Sequence, residues 1–125
     1  MSSRSIEDLT PETQELYHKF AVIMKAKNIP YIVTCTYRSQ QEQDALYEQG
    51  RTKPGQIVTW TRKSRHTDRE AFDIAILKNG KISWNVDDYL EAGKIGRAVG
   101  LVWGGDFKTS KDRPHFEKPK EDCYD

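Results

Sequence analysis

Cysteine is scarce in this 125-residue chain, which has only Cys35 and Cys123. Neither belongs to a C-x-x-C pair, so the usual thiolate zinc site is excluded. Two thiols do not make a disulfide scaffold, and that usage suits a reducing cytoplasm. A Cys35–Cys123 bridge is compatible with the count, but the apolar run around Cys35 reads as a small buried hydrophobe. A net charge is also missing. Lys and Arg number 20 and Asp and Glu 19, leaving +1, whereas nucleic acid calls for a clustered basic excess. No window approaches the roughly 18 apolar residues of a membrane span. Residues 1–8 carry no apolar stretch of the secretory kind, so the chain is expected to be made in the cytoplasm. A target outside would then need some other agent to open the membrane. Internal repeats and low-complexity segments are absent as well. One domain of ordinary size fits this length, with no room for a separate wall- or ligand-binding module. A compact chain of this size still buries on the order of two-thirds of its unfolded surface.

Helices and strands alternate in what is present. Thr10-Pro11-Glu12 predicts a helix start, with a hydroxyl cap, Pro at the first helical position and acid in the first turn. Leu16, Phe20, Ile23 and Met24 follow as a core-facing stripe, and Asn28 and Pro30 end it. His18 lies off that stripe, on the surface. Tyr31 to Tyr37 is rich in β-branched and aromatic residues and predicts a strand. Ser39, with Glu42 three residues on, forms a capping box for a helix that ends at Gly50. Ile57 to Trp60 reads as a short strand or an ordered loop. Ala71 to Leu77 is a strand buried on both faces, turned at Asn79-Gly80 into Lys81 to Trp84. Asn85 or Asp87 opens a third helix to about Val99, closed by Gly100. Gly93 and Gly96 within it let another element pack closely. Pro114 to Glu117 makes a last short strand.

Two polar clusters carry chemistry. The first runs from Ser64 through His66 to Asp73; the second is Asp112-Arg113-Pro114-His115-Phe116-Glu117. A carboxylate at position 73, inside an apolar strand, is costly unless it is paired or bound to a metal. Two histidines and an aspartate fill three zinc positions and leave a fourth for water. His66 and Asp73 are an odd number of positions apart, so His66 must lie in a loop that curls back beside the strand. Ser64 is placed to orient its imidazole. A hydrolytic site also needs a base, and two acids compete. Glu117 shares a strand face with His115, while Asp112 requires a bend at Arg113-Pro114. Arg38, at a strand-to-helix junction, either pairs with a surface acid or clamps a carboxylate. The basic run Arg62 to His66 is either a solvated loop or one wall of an anion-binding groove.

Ser64-x-His66, Ala71-x-Asp73 and Asp112-x-x-His115 resemble the S-x-H-x-x-G-x-A-x-D and (D/E)-x-x-H motifs of zinc peptidoglycan peptidases. That family contains the D-Ala-D-Ala carboxypeptidases and the L-alanyl-D-glutamate endopeptidases of phage endolysins. Tyr37-Arg38-Ser39, Gln43 with Leu46-Tyr47, Gly50-Arg51-Thr52, Pro54-Gly55-x-Ile57-Val58-Thr59 and Trp103 to Phe107 are similar to the endopeptidase branch. The resemblance covers roughly residues 30–117.

It implies a small single α+β domain, an antiparallel sheet with flanking helices, as in the hedgehog and D-Ala-D-Ala peptidase folds. It implies a zinc ion held by His66, Asp73 and His115, with Asp112 rather than Glu117 as general base. Arg38, Ser64 and Gln43 would meet the substrate. The implied activity is cleavage of the L-Ala–D-Glu bond of bacterial peptidoglycan by a monomeric, phage-type lysis enzyme that acts on the wall after release. A D,D-carboxypeptidase or dipeptidase and a non-catalytic metal-binding module, as in the related hedgehog domain, are the alternatives. One departure stands out: the family glycine falls on Arg69. If that turn needs a positive φ, arginine there costs on the order of 1 kcal/mol.

Overall fold

The structure is a computed structural model, and it describes residues 2–59, 61–109 and 111–120. Trp60, at the end of the expected Ile57–Trp60 segment, and Cys123, half of the possible bridge, lie outside the described residues.

Among the described residues, three α-helices and five strands form an α+β fold: α1 (Pro11–Ala26), β1 (Tyr31–Cys35), α2 (Gln40–Glu48), β2 (Ala71–Lys78), β3 (Lys81–Ser83), α3 (Val86–Val99), β4 (Val102–Trp103) and β5 (His115–Glu117). The expected caps are in place. Thr10 accepts from the Thr13 amide, Ser39 and Glu42 close a capping box, and Asn85 caps α3, which ends on left-handed Gly100. β1 is shorter than its composition predicts. The backbones of Thr36 and Tyr37 bond instead to Ser3, at 2.7 and 2.8 Å. Residues 57–59 form a loop rather than a strand.

All strand pairs are antiparallel. The order is β1-β2-β5-β4, with β3 also pairing β2. β2 is the central strand, and its alternation divides the molecule. Phe72, Ile74 and Ile76 face one way, into a core shared with Phe20 and Met24 of α1, Tyr89, Ala92 and Ile95 of α3, and Trp103 and Phe116. Phe72 stacks on its cross-strand partner Phe116, centroids 5.5 Å apart. Ala71, Asp73 and Ala75 face the other way. Directly paired residues share a face, so His115, opposite Asp73, and Cys35, also opposite Asp73, lie on that second face with it. A register shift between Val33 and Cys35 is what brings Cys35 into line. Such bulges re-aim side chains beside functional sites.

Candidate metal centre

Asp73 is where the predicted residues meet. Its Oδ1 lies 3.2 Å from His66 Nε2 and 3.0 Å from His115 Nδ1. His115 arrives by register, from the neighbouring strand. His66 arrives by the expected loop. Its ring sits in the 65–69 turn, which is closed by bonds from the Arg69 and Glu70 amides to the His66 and Arg65 carbonyls. Both rings are buried, 3% and 7% exposed.

The outer nitrogens are also fixed. His66 Nδ1 donates to the Thr36 carbonyl at 3.1 Å, and His115 Nε2 to Glu117 Oε1 at 2.8 Å. Each imidazole is therefore locked in orientation and presents its remaining nitrogen to Asp73, the arrangement that metal-binding histidines adopt. Ser64, expected to orient the His66 ring, instead accepts the His66 backbone amide at 3.1 Å. The Thr36 carbonyl, one residue past β1, does the orienting.

The two separations from Asp73 suit a metal ion. The 3.0 and 3.2 Å gaps are close to the roughly 3.3 Å edge of a tetrahedron with bonds of about 2.0–2.1 Å. Two sets of possible ligand atoms, each within 4.8 Å of one another, share Asp73: Cys35 with His66 and Asp73, and Asp73 with Asp112 and His115. Cys35 was not anticipated as more than a core residue. Its nearness to Asp73 depends on the β1 bulge, for which the sequence has no signal.

Charge follows the geometry. Burial would raise the Asp73 carboxyl, but hydrogen bonds from His115 and His66 outweigh it and hold it well below the usual range. Burial would lower the imidazoles, yet Asp73 pushes both up. Glu117 is held below its ordinary value because the His115 bond outweighs its burial. Asp112 behaves oppositely. It is open to solvent at the cleft, but the surrounding wall and then the charge of Asp73 raise it. A raised carboxyl is the direction that suits a group exchanging protons near neutrality.

The bend that delivers Asp112 is pinned. Its amide bonds the Gly104 carbonyl at 3.0 Å, its carbonyl takes the His115 amide at 3.1 Å, and the Pro114 carbonyl takes the Ile74 amide at 3.0 Å. Trp103 Nε1 donates to the Arg113 carbonyl at 2.7 Å. The two competing acids are thus separated. Glu117 is engaged behind His115, while Asp112 stands in the second ligand set beside Asp73.

These groups line one side of a cleft of about 800 Å³. Arg38 lines it too. It has no acid partner among the described residues: Nη1 donates to Gln43 Oε1 at 2.9 Å, Nη2 approaches Cys35 Sγ at 3.5 Å, and buried Nε has no partner. Gln43, expected at the substrate, is instead wholly buried. It bridges Arg38 to Thr59 Oγ1 and the Thr61 carbonyl, so it supports the arginine from behind. Lys63, Ser64, Arg65 and His66 of the basic run all border the cleft, which favours the groove wall over the solvated loop. Arg69 does occupy the left-handed region, at φ 64°. No helix among the described residues is long and apolar enough to cross a membrane.

Comparison with known proteins follows the same lines. Residues 58–118 match the family described as D-alanyl-D-alanine carboxypeptidase. The chain is 38% identical over 122 residues to the peptidoglycan L-alanyl-D-glutamate endopeptidase CwlK of Bacillus subtilis, spanning 88% of this chain and 73% of the relative. Its fold matches the L-Ala D-Glu endopeptidase ChiX of Serratia marcescens with a TM-score of 0.75 at 24% identity, over 95% of this chain and 89% of the other. The LD-carboxypeptidase LdcB matches with a TM-score of 0.70 at 15% identity, over 88% and 58%.

Proposed function

The chain belongs to the D-alanyl-D-alanine carboxypeptidase family of metallopeptidases, and from that premise we propose that it hydrolyses the L-Ala–D-Glu bond of the peptidoglycan stem peptide with a zinc ion held by His66, Asp73 and His115. The observation that carries this reading is the convergence of both imidazoles on one Asp73 oxygen, with Asp112 beside them at an open cleft. Zinc bound there supplies polarisation of the scissile carbonyl and a water of lowered pKa.

The remaining work falls to side chains of this chain. Asp112 takes the proton of the attacking water and passes it to the leaving amine as the carbon–nitrogen bond breaks. Arg38, held from behind by Gln43, directs its guanidinium at a substrate carboxylate. Glu117 fixes the His115 ring rather than handling protons. The 38% identity to an enzyme named for the L-alanyl-D-glutamate bond supports the choice of bond. The motif resemblance to phage endolysins supports a lysis role, in which the protein leaves the cytoplasm through a membrane opening made by another protein.

Mass spectrometry of digested muropeptides tests the bond. Release of the whole stem below L-Ala is expected. Loss of a terminal D-Ala would point to the carboxypeptidase activity after which the matched family is described. Asp112→Asn is expected to keep its zinc and lose activity by about 10²–10⁴-fold on purified peptidoglycan. Clearance at the parent rate would remove Asp112 from the role of base.

A further inference from the structure

The cleft is much more basic than the chain. Five cationic side chains line it (Arg38, Lys63, Arg65, Lys111 and Lys120) against three carboxylates, Asp73, Asp112 and Glu117, while the whole chain carries +1. The carboxylates are already engaged at the metal centre. Asp73 serves both imidazoles, Glu117 holds His115, and Asp112 adjoins Asp73 and His115.

The cations are not equally free. Arg65 bonds Glu70 at 2.7 Å and the Lys118 carbonyl at 2.8 Å. Lys111 donates to the carbonyls of Gly105 and Phe107, and Arg38 is tied to Gln43. Lys63 and Lys120 make no close ion pair or hydrogen bond through their ammonium groups with any described residue, although Lys120 acts at longer range on Glu117. Both are exposed and both border the cleft. They reach it from separate segments, one in the loop before His66 and one just beyond β5. Solvated ammonium groups at a cleft mouth attract anions and impose a preference on charged ligands.

We propose that Lys63 and Lys120 select stem peptides whose carboxyl groups beyond the D-glutamate are free over stems in which the same groups are amidated. This rests on the stem-peptide reading above. A D-glutamate joined to L-alanine through its nitrogen and onward through its γ-carboxyl keeps its α-carboxylate, one carbon from the scissile nitrogen. That group enters close to the metal ligands and Arg38, and carboxylates further along the stem fall to the two lysines. Amidation removes the charge and substitutes a donor, the –NH₂, for one of the acceptors that the lysines engage.

The test uses two matched stems that both keep the D-glutamate α-carboxylate and differ only in amidation of the carboxyl groups further along the leaving side. Calorimetric binding to zinc-loaded Asp112→Asn protein measures affinity without turnover. The free-acid stem is expected to bind about tenfold more tightly at low salt, the size that two exposed ion pairs together supply. That preference should shrink as salt is raised. Lys63→Gln with Lys120→Gln on the same background should bring the ratio close to one. Equal affinities, or a ratio untouched in the double variant, overturn the selection. Cleavage by the parent protein is scored separately. Preferential binding of the free acid with neither stem cut overturns the hydrolytic reading and supports charge selection. Equal cleavage at equal affinity overturns selection alone.

Discussion

Asp73 shows how much one buried carboxylate can organise. Alone on the second face of β2 it would be costly; between two imidazoles it is well below its usual protonation range. The residues behind the imidazoles complete the arrangement. Glu117→Ala leaves His115 Nε2 without its acceptor, and a loss of about 10–100-fold in metal affinity is expected. Glu117→Gln, which can still accept that bond, should lose less. A chelator competition titration ranks the two. If Glu117→Gln abolished hydrolysis at full metal occupancy, Glu117 and not Asp112 would be handling the proton. Arg69 makes a second case. Its left-handed φ of 64° is offset by contacts: the guanidinium lies 3.9 Å from the Tyr37 ring and donates to the Asp8 carbonyl at 3.1 Å. Arg69→Ala gives up those contacts and keeps the strain, while Arg69→Gly gives them up and relieves it. The alanine variant should therefore melt below the glycine variant, by an amount corresponding to about 1 kcal/mol. The reverse order in a denaturant titration would mean that the turn is unstrained.

At the scale of elements, close approach is the theme. An added Cβ at Gly93 would lie 2.4 Å from the Trp103 ring, and one at Gly96 2.6 Å from Phe116. These glycines cost α3 helix propensity and let it lie directly on β4 and β5. Gly93→Ala gains about 1 kcal/mol of propensity but overpacks a full core, a cost of about 1–3 kcal/mol. Gly104 is tighter still, since a Cβ there would meet the Asp112 carbonyl at 2.0 Å, against backbone that has no room to yield. Gly104→Ala is expected to displace the 112–115 bend and lower kcat more than it lowers thermal stability. Gly93→Ala should do the opposite. Parallel kinetics and melting curves separate the two. The β1 bulge belongs to this scale as well. By shifting the register after Val33 it sets Cys35 rather than Thr34 opposite Asp73, leaving a thiol beside the candidate metal ligands.

At the scale of the whole molecule, the sheet has an apolar face under α1 and α3 and a charged face that carries the candidate metal ligands. Without metal, the buried charges respond to pH. Against the pull of burial, Asp73 pushes His66 up to about 10 and His115 up to about 9. A raised folded-state pKa gives stability that is complete below the unfolded value near 6.5 and is lost as pH rises through the folded one. The melting temperature of chelator-treated protein should therefore fall between about pH 7 and pH 10. The lowered Asp73 works at the other end, contributing above about pH 4 and failing as the pH drops. Metal binding requires both imidazoles neutral, so zinc added at pH 8 to 9 should restore the melting temperature and flatten its alkaline decline. A zinc-independent melting curve across that range would argue against a structural contribution from the ion.

Much of this was legible in the chain. The caps at Thr10, Ser39 and Asn85, the turn at Asn79-Gly80 and the buried strand around Asp73 are local, encoded within a few residues of where they act. The histidines and Asp73 were recognisable because ligand chemistry restricts residue types so severely. What the sequence left open were contacts between segments far apart. Spacing left Glu117 and Asp112 competing as the base and correctly put Glu117 on the face of His115. Only the assembled strand places it on the ring's outer nitrogen, with Asp112 bent into the cleft. Gln43 read as a substrate contact and is a buried brace, because α2 turns it toward Thr59 and Thr61. Cys35 read as core and lies beside Asp73, because one residue slips in the register of β1. Caps, turns and strand faces follow from neighbours in sequence, whereas the companions of a buried carboxylate depend on strand pairing, which no short stretch of this chain specifies on its own.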